Sequence, residues 1–266
     1  KSFSAFVYAT KILGRHLFDR TRYARGKRLV NGNALAGRLL KSALDSGVQI
    51  WREAPALRLL EEDGRVAGAV IAREGREIEV RSRRGTVIAT GGFPQSGGMR
   101  AEHIPFADHH RSMASEGNVG EGIRMAEGVG ATLDRINIDN AFLTPVSILK
   151  TADDGERTFP HLITDRAKPG SIVVNRHARR FINEADQYQY FVEAMRADGG
   201  QAIPAFIICD TRFIRNYGFG LARPTPFPRK WLVDAGYLIC ADTIEDLAGK
   251  LDLDPTALRE TVGRFN

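Results

Sequence analysis

Apolar residues at Phe3, Phe6, Val7, Ile12, Leu13, Leu17 and Phe18 recur with helical spacing, so the chain opens with an amphipathic helix whose arginines take the solvated face. The stretch from Asn33 to Ser46 predicts a second helix, with Asn33 as N-cap and Gly47 just past its end. The period then shortens. Val48 to Trp51 reads as a short strand, and Ala56 to Leu60, Arg65 to Ala72 and Arg76 to Arg83 follow as strand-like runs separated by Asp63-Gly64 and Glu74-Gly75. Such dipeptides close two-residue turns, so these three runs are expected to form an antiparallel meander.

Thr86 to Thr90 reads as a further short strand that ends in Gly91-Gly92, and Gly120 to Gly130 as a short helix bounded by glycines. From Ala141 to Lys168 the texture becomes irregular and rich in Pro, Asp and Thr, which marks the entry to a second domain. Beyond it, Ser171 to Asn175 and Ile203 to Cys209 read as strands, Asp186 to Arg196 as a helix, and Pro224 to Pro228 as a surface loop. Thr243 with Asp246 resembles a capping box, and Asp254-Pro255 supplies N-cap and first residue for a last helix.

The 266 residues, 43% hydrophobic and 26% charged, suffice for one large or two modest domains and exclude a disordered or collagen-like chain. No uncharged apolar run approaches the ~20 residues of a membrane-spanning helix, and the opening residues lack the order of a secretory signal. Cys209 and Cys240 each sit in an apolar string, and both are expected to be inert buried thiols in a reducing cytoplasm. The net charge of +6 is local: residues 11 to 28 hold seven basic groups against Asp19 alone, and bases and acids balance elsewhere. A solvated helical face accounts for this cluster, and so would a non-catalytic module that binds an anionic partner. No RNA-recognition signature or aromatic-basic interleaving supports a nucleic-acid partner.

Common catalytic signatures are missing. The chain has no G-x-G-x-x-G after an opening strand, no G-x-x-x-x-G-K-[ST], no H-E-x-x-H and no G-x-S-x-G. His109-His110 is the only adjacent histidine pair and reads as part of a polar loop, so no metal site is expected. Val87-Ile88-Ala89-Thr90-Gly91-Gly92, a strand running into a glycine turn, suits either a nucleotide contact or a tight structural turn.

Five segments taken together carry more information. Arg28 to Leu35, Gly64 to Ala69, Ile88-Ala89-Thr90-Gly91-Gly92-Phe93, Gly120-Glu121-Gly122-Ile123 and Arg180-Phe181-Ile182-Asn183-Glu184 follow in an order that resembles the fumarate reductase/succinate dehydrogenase flavoprotein superfamily. Asp165 to Gly170, Asn183 to Tyr188 and Thr261 to Asn266 look most like its 3-ketosteroid dehydrogenase branch. The resemblance runs from about Lys27 to Asn266. It implies an α/β fold with α+β: residues 1–140 part of a Rossmann-like FAD domain with an antiparallel meander, and 141–266 an inserted capping domain of the flavocytochrome c and fumarate reductase type. It also implies an interior piece without the opening Rossmann unit and the closing flavin segment. Such a piece is expected to be inactive by itself and to hold FAD weakly or not at all.

The same resemblance places Ala56 against adenine, runs Ala89, Thr90, Gly91 and Gly92 beside the dinucleotide, and assigns Asn118, Gly120 and Glu121 to the flavin. Glu121 departs from the usual Asp by one methylene. In fumarate reductases an Arg stands four residues after the Glu of Arg-Phe-x-Asn-Glu; here that position is Tyr188, which disfavours fumarate or succinate chemistry. In the ketosteroid branch a Tyr at this place takes a proton beside a ketone while FAD takes a hydride from the neighbouring carbon. The implied substrate is therefore a small ketone of steroid-like shape. A Tyr base needs a nearby donor or cation, and the sequence identifies none. Tyr188 also fits, with Phe191, Val192 and Met195, the buried stripe of a helix. His161, Thr164 and Asp165 align with substrate-contacting positions, or form a polar loop. Arg166 and Lys168 read equally well as surface ion-pair partners.

Overall fold

Ser2 starts the first helix: its hydroxyl accepts from the Ala5 amide, and the chain stays helical from Phe3 to Arg22 (α1). The computed structural model describes residues 2–134, 137, 139–151, 153 and 155–266, and the chain divides into two compact units between Thr86 and Val87. The basic cluster is thus not one helix. Arg25, Lys27 and Arg28 lie beyond α1, where the Lys27 amide donates to Asp19 Oδ2 at 3.0 Å and turns the chain. No residue of α1 is buried, and its apolar stripe is exposed except at the half-buried Ile12, with Phe3 82% accessible.

The second helix, α2 (Asn31–Asp45), begins two residues before the expected cap: Asn31 has φ +50 and Val30 is an N-cap without a side-chain bond. Its end is as expected. Gly47 takes φ +75, and the amides of Gly47 and Val48 return to the carbonyls of Leu44 and Ala43 at 3.0 Å each. The meander forms from β1 (Ala56–Glu62), β2 (Arg65–Arg73) and β3 (Arg76–Arg81), antiparallel in that order. Asp63, Gly64, Glu74 and Gly75 all have positive φ, which gives two-residue turns whose twist matches the strands. Leu60 and Val70 are its buried side chains, and Gly68 sits where a Cβ would come within 2.0 Å of the Val80 carbonyl oxygen.

Two expected strands are absent: Val48 to Trp51 and Thr86 to Thr90 have strand-like composition but pair with no strand among the described residues. Side chains alone do not make a strand, because its stability comes from ladder bonds and cross-strand packing.

In the second unit, α3 (Gly97–His103) is capped by Ser96 and α4 (Glu121–Glu127) lies between Gly120 and Gly128. The stretch from Ala141 is less irregular than its composition implied, because β4 (Val146–Lys150) and β5 (Glu156–Pro160) pair antiparallel, and α5 (Ile163–Arg166) follows. The next strand, β6 (Ser171–Val174), precedes α6 (Tyr188–Gly200), which starts and ends later than expected. It pairs antiparallel with β7 (Phe206–Cys209), which is shorter than the apolar run that contains it. Two short helices, α7 (Thr211–Tyr217) and α8 (Lys230–Asp234), lead to α9 (Ile244–Lys250) and α10 (Pro255–Phe265). Thr243 and Asp254 cap the last two by accepting from the amides of Asp246 and of Thr256 and Ala257.

Ile172, Val174, Ala178, Ala248, Leu253 and Leu258 form one core cluster, where α9 and α10 cover the β6–β7 pair. A smaller one joins Leu149, Ala222 and Leu232, with Tyr237 packed against it. Cys240 is exposed, contrary to expectation, whereas burial pushes the partly covered Cys209 thiol up to about 12. No helix among the described residues is long and apolar enough to cross a membrane.

Candidate active site

The glycine turn and the start of α4 meet although about thirty residues separate them. The Gly120 amide donates to the Gly92 carbonyl at 3.1 Å, and the Gln95 amide donates to the Asn118 carbonyl at 3.0 Å. Contact this close requires glycine: Gly91 has φ +82, with Asn118 Oδ1 2.8 Å from where its Cβ would stand, and a Cβ on Gly122 would overlap the Thr90 hydroxyl at 2.1 Å. Thr90, Gly91, Gly92, Asn118 and Gly120 are therefore brought together. Ala89, Thr90, Gly91 and Glu121 are exposed on this assembly. Ala56 starts β1 in the other unit and is also exposed.

A second constellation surrounds Tyr188, the first residue of α6. Its half-buried ring meets Phe142 edge-on at 5.7 Å, and the Arg166 guanidinium lies 6.0 Å from the ring centre. Arg166 is not a surface ion-pair partner: it is 1% exposed. Its Nε donates to the His161 carbonyl at 3.0 Å, and its two terminal nitrogens donate to the carbonyls of Glu184 and Asp186 at 2.5 and 2.9 Å. It also stacks 4.2 Å over Phe191, and among the described residues no carboxylate pairs with it. Burial lowers the pKa of this guanidinium, opposed by Tyr188, Asp165, Asp186 and Glu184, yet an Arg stays charged at any ordinary pH. A positive charge is thus held beside Tyr188 by backbone dipoles, and the same bonds fix the loop that leads into α6.

The Arg-Phe-x-Asn-Glu string has a structural task nearby. Glu184 is buried, accepts from the Val173 amide of β6 at 2.8 Å, and receives Arg180 through two nitrogens at 3.0 and 2.7 Å. A further buried pair involves α6: Arg196 meets both oxygens of Asp139 at 2.7 Å, with Gln189 donating to the same carboxylate.

His161 lies just past β5, where its amide donates to the Pro145 carbonyl. It is 4% exposed and stacked at 4.4 Å on Phe219. Both ring nitrogens are occupied, Nδ1 by Asp165 Oδ2 at 2.6 Å and Nε2 by Ser147 Oγ at 2.7 Å. Ser147 Oγ lies 2.6 Å from Tyr237 Oη, which accepts from the Leu221 amide at 3.1 Å. Thr164 is exposed and outside this chain of bonds. No cluster able to hold a metal ion occurs among the described residues; His109 ends a single 3-10 turn.

An open cavity of about 1010 Å³ in the second unit joins these groups, with Phe142, His161, Arg166, Phe191, Phe219 and Tyr237 on its wall. Tyr188 touches two wall residues, Phe142 and Arg166, without being one itself. Arg166, Ser147 and Tyr237 were not legible as site residues. The spacing of His161 and Asp165, one helical turn, was a usable signal, but Ser147 and Tyr237 lie 90 residues apart and meet only in three dimensions.

Residues 4–266 match the family model described as FAD binding domain. The chain is 36% identical to the 4-oxocyclohex-2-ene-1-carboxylate 5-dehydrogenase of Sinomonas cyclohexanicum, over all of this chain and 46% of that protein. It is 35% identical to the 3-oxosteroid 1-dehydrogenase of Mycobacterium tuberculosis, over 93% of this chain and 45% of the relative. Among solved structures it superposes on the 3-ketosteroid Δ1-dehydrogenase of Sterolibacterium denitrificans, in complex with 1,4-androstadiene-3,17-dione, with a TM-score of 0.81 and 31% identity, over 98% of this chain and 48% of that one. The chain therefore spans about half the length of the curated relatives it matches. Its mixed helix-and-sheet structure has an FAD-binding fold.

Proposed function

The chain belongs to the FAD binding domain family, and from that premise we propose that the whole protein is an FAD-dependent dehydrogenase that introduces a carbon–carbon double bond next to a ketone. The substrate class is a cyclic ketone of steroid-like size. The observation that carries this reading is the buried Arg166 guanidinium, bound to three backbone carbonyls, beside Tyr188 at the edge of a large cavity. A ketone acidifies its neighbouring C–H, so the protein must supply a base that can exist as an anion and a slot that excludes water. Tyr188 is that base in this reading, and Arg166 is the charged neighbour beside it, 6.0 Å from its ring centre.

The residues present fit the cofactor. Where Gly91 and Gly122 pack against Asn118 and Thr90 without side chains between, Ala89, Thr90 and Gly91 form an exposed turn that a flat, phosphate-bearing group can approach. We assign Ala89, Thr90, Gly91, Gly92, Asn118, Gly120 and Glu121 to FAD, and Ala56 to its adenine. FAD, when bound, supplies the acceptor for a hydride from the carbon next to the one that loses its proton. In the same reading residues 1–140 belong to the FAD domain and 141–266 to the cap that shapes the substrate cavity. Fumarate or succinate chemistry is disfavoured, since Tyr188 stands where fumarate reductases have an arginine as proton donor.

The test is Tyr188→Phe in the whole FAD-loaded protein with a 3-ketosteroid and an artificial electron acceptor. Loss of the base should lower kcat by about 100-fold or more, with flavin absorbance retained. Unchanged turnover would overturn the assignment.

A further inference from the structure

The arginines on the cavity wall differ in how far their hydrogen-bonding capacity is used. Arg111 is paired with Glu156 and Arg196 with both oxygens of Asp139, while Arg166 and Arg176 give their nitrogens to backbone carbonyls. Arg100, on α3, stands apart. It is half-buried on the same wall, makes one long bond from Nη1 to the His110 carbonyl at 3.4 Å, and enters no ion pair among the described residues. Its Nε is buried without a partner. A guanidinium drawn partly out of water with N–H groups unspent gains most from an anion, because each unmade bond to a charged group is costly.

The surroundings add to this charge rather than cancel it. His110 also lines the cavity, and burial together with the charges of Arg100 and Arg196 holds its pKa below the usual histidine value, against an opposing pull from Asp139. The carboxylates on the wall are engaged or peripheral: Asp210 caps α7 through the Phe213 amide, and Asp108 is exposed. We propose that Arg100, with His110 and the Arg196–Asp139 pair around it, is the binding site for a carboxylate that the substrate carries at the end remote from its ketone. A single negative charge matches the one unspent cation, and the guanidinium fork can offer a carboxylate two parallel N–H bonds. The helix α6 sets the length of the ligand. Arg196 stands about 12 Å beyond Tyr188 along its axis, and Val192 and Met195 line the cavity between them. A substrate whose reacting carbon lies at Tyr188 therefore needs a skeleton of several fused rings, not a single ring, to bring its carboxylate to Arg100.

The place of the ketone rests on the function proposed above; the anion site does not. The experiment is a calorimetric titration of the whole FAD-loaded protein with 3-oxoandrost-4-ene-17β-carboxylate and with its methyl ester, which compares one skeleton with and without the charge. The acid should bind about tenfold more tightly than the ester, and Arg100→Gln should remove that advantage. Arg100→Lys, which keeps the charge but not the fork, should retain part of it. The 5α-androstane-17β-carboxylate ion, which lacks the ketone, should depend on Arg100 in the same way. Equal binding of acid and ester, or a preference for the acid that survives in Arg100→Gln, would each overturn the proposal. Should that variant fail to fold, the comparison of acid and ester in the unsubstituted protein decides alone. Turnover separates the two readings: acid and ester desaturated and bound alike would refute the anion site and leave the dehydrogenase standing, whereas Arg100-dependent binding of the acid with neither compound desaturated would do the reverse.

Discussion

The two units are held by different means. In the first, two-residue turns join antiparallel ladders, unbroken between β2 and β3 and with two register shifts between β1 and β2, and most large apolar side chains of its helices are exposed, Leu35 by 63% for example. In the second, charged and polar groups do much of the work: Arg166 ties three carbonyls, Glu184 binds an amide and an arginine, and Asp139 receives Arg196 and Gln189. Local order suffices for a meander, because each turn fixes the register of its own neighbours. A cavity wall built from distant segments needs directional bonds that cannot slide, and burial makes each costly to lose.

This contrast predicts where substitutions hurt most. Arg166→Ala strands three carbonyls and frees the loop before α6, so chemical denaturation should show the second unit less stable by about 4 kcal/mol, with the meander unaffected. A loss below 1 kcal/mol would mean that backbone bonds to this guanidinium do not hold the unit together. Gly68→Ala should act on the first unit alone. Its Cβ would meet a β3 carbonyl, and about 2 kcal/mol of destabilisation with lost amide protection in β2 and β3 is expected from the forced separation. The smallest effect concerns pH. Burial, with Arg100 and Arg196 nearby, holds the pKa of His110 below the usual histidine value. The unfolded chain therefore binds the proton first, so stability contributed by neutral His110 is full well above about pH 6.5 and declines as the pH falls through that value toward the lowered one. His110→Gln should flatten the acid side of a melting-temperature profile between about pH 7 and pH 5; an unchanged slope would assign the acid sensitivity elsewhere.

Much of the first unit, and the last two helices of the second, were legible in the sequence. Asp63-Gly64 and Glu74-Gly75 announced both turns, Gly47 the end of α2, and Thr243 and Asp254 the caps of α9 and α10. These signals act within a few residues. Val87 and Ile88 show the limit: their composition is that of a strand, yet Val87 is 89% exposed and no partner strand lies beside them among the described residues. At the site, Gly91 and Gly92 could be singled out as a turn that a backbone can approach and Gly120 through the resemblance; at Gly91 and Gly120 the positive φ and the close neighbours leave no room for a Cβ. That Gly122 belongs with Thr90 could not be read.

By itself, the sequence determined the family, the meander, the helix caps and a tyrosine four places after a motif glutamate, all properties of residue types at short spacing. Only the tertiary structure decided that Arg166 is a buried cation beside that tyrosine rather than a surface charge. It alone joined Asp165, His161, Ser147 and Tyr237 into one line of hydrogen bonds. The physical reason is burial. A side chain's charge and hydrogen-bonding capacity are written in its letter, but the partners that satisfy them inside a protein come from wherever the chain returns.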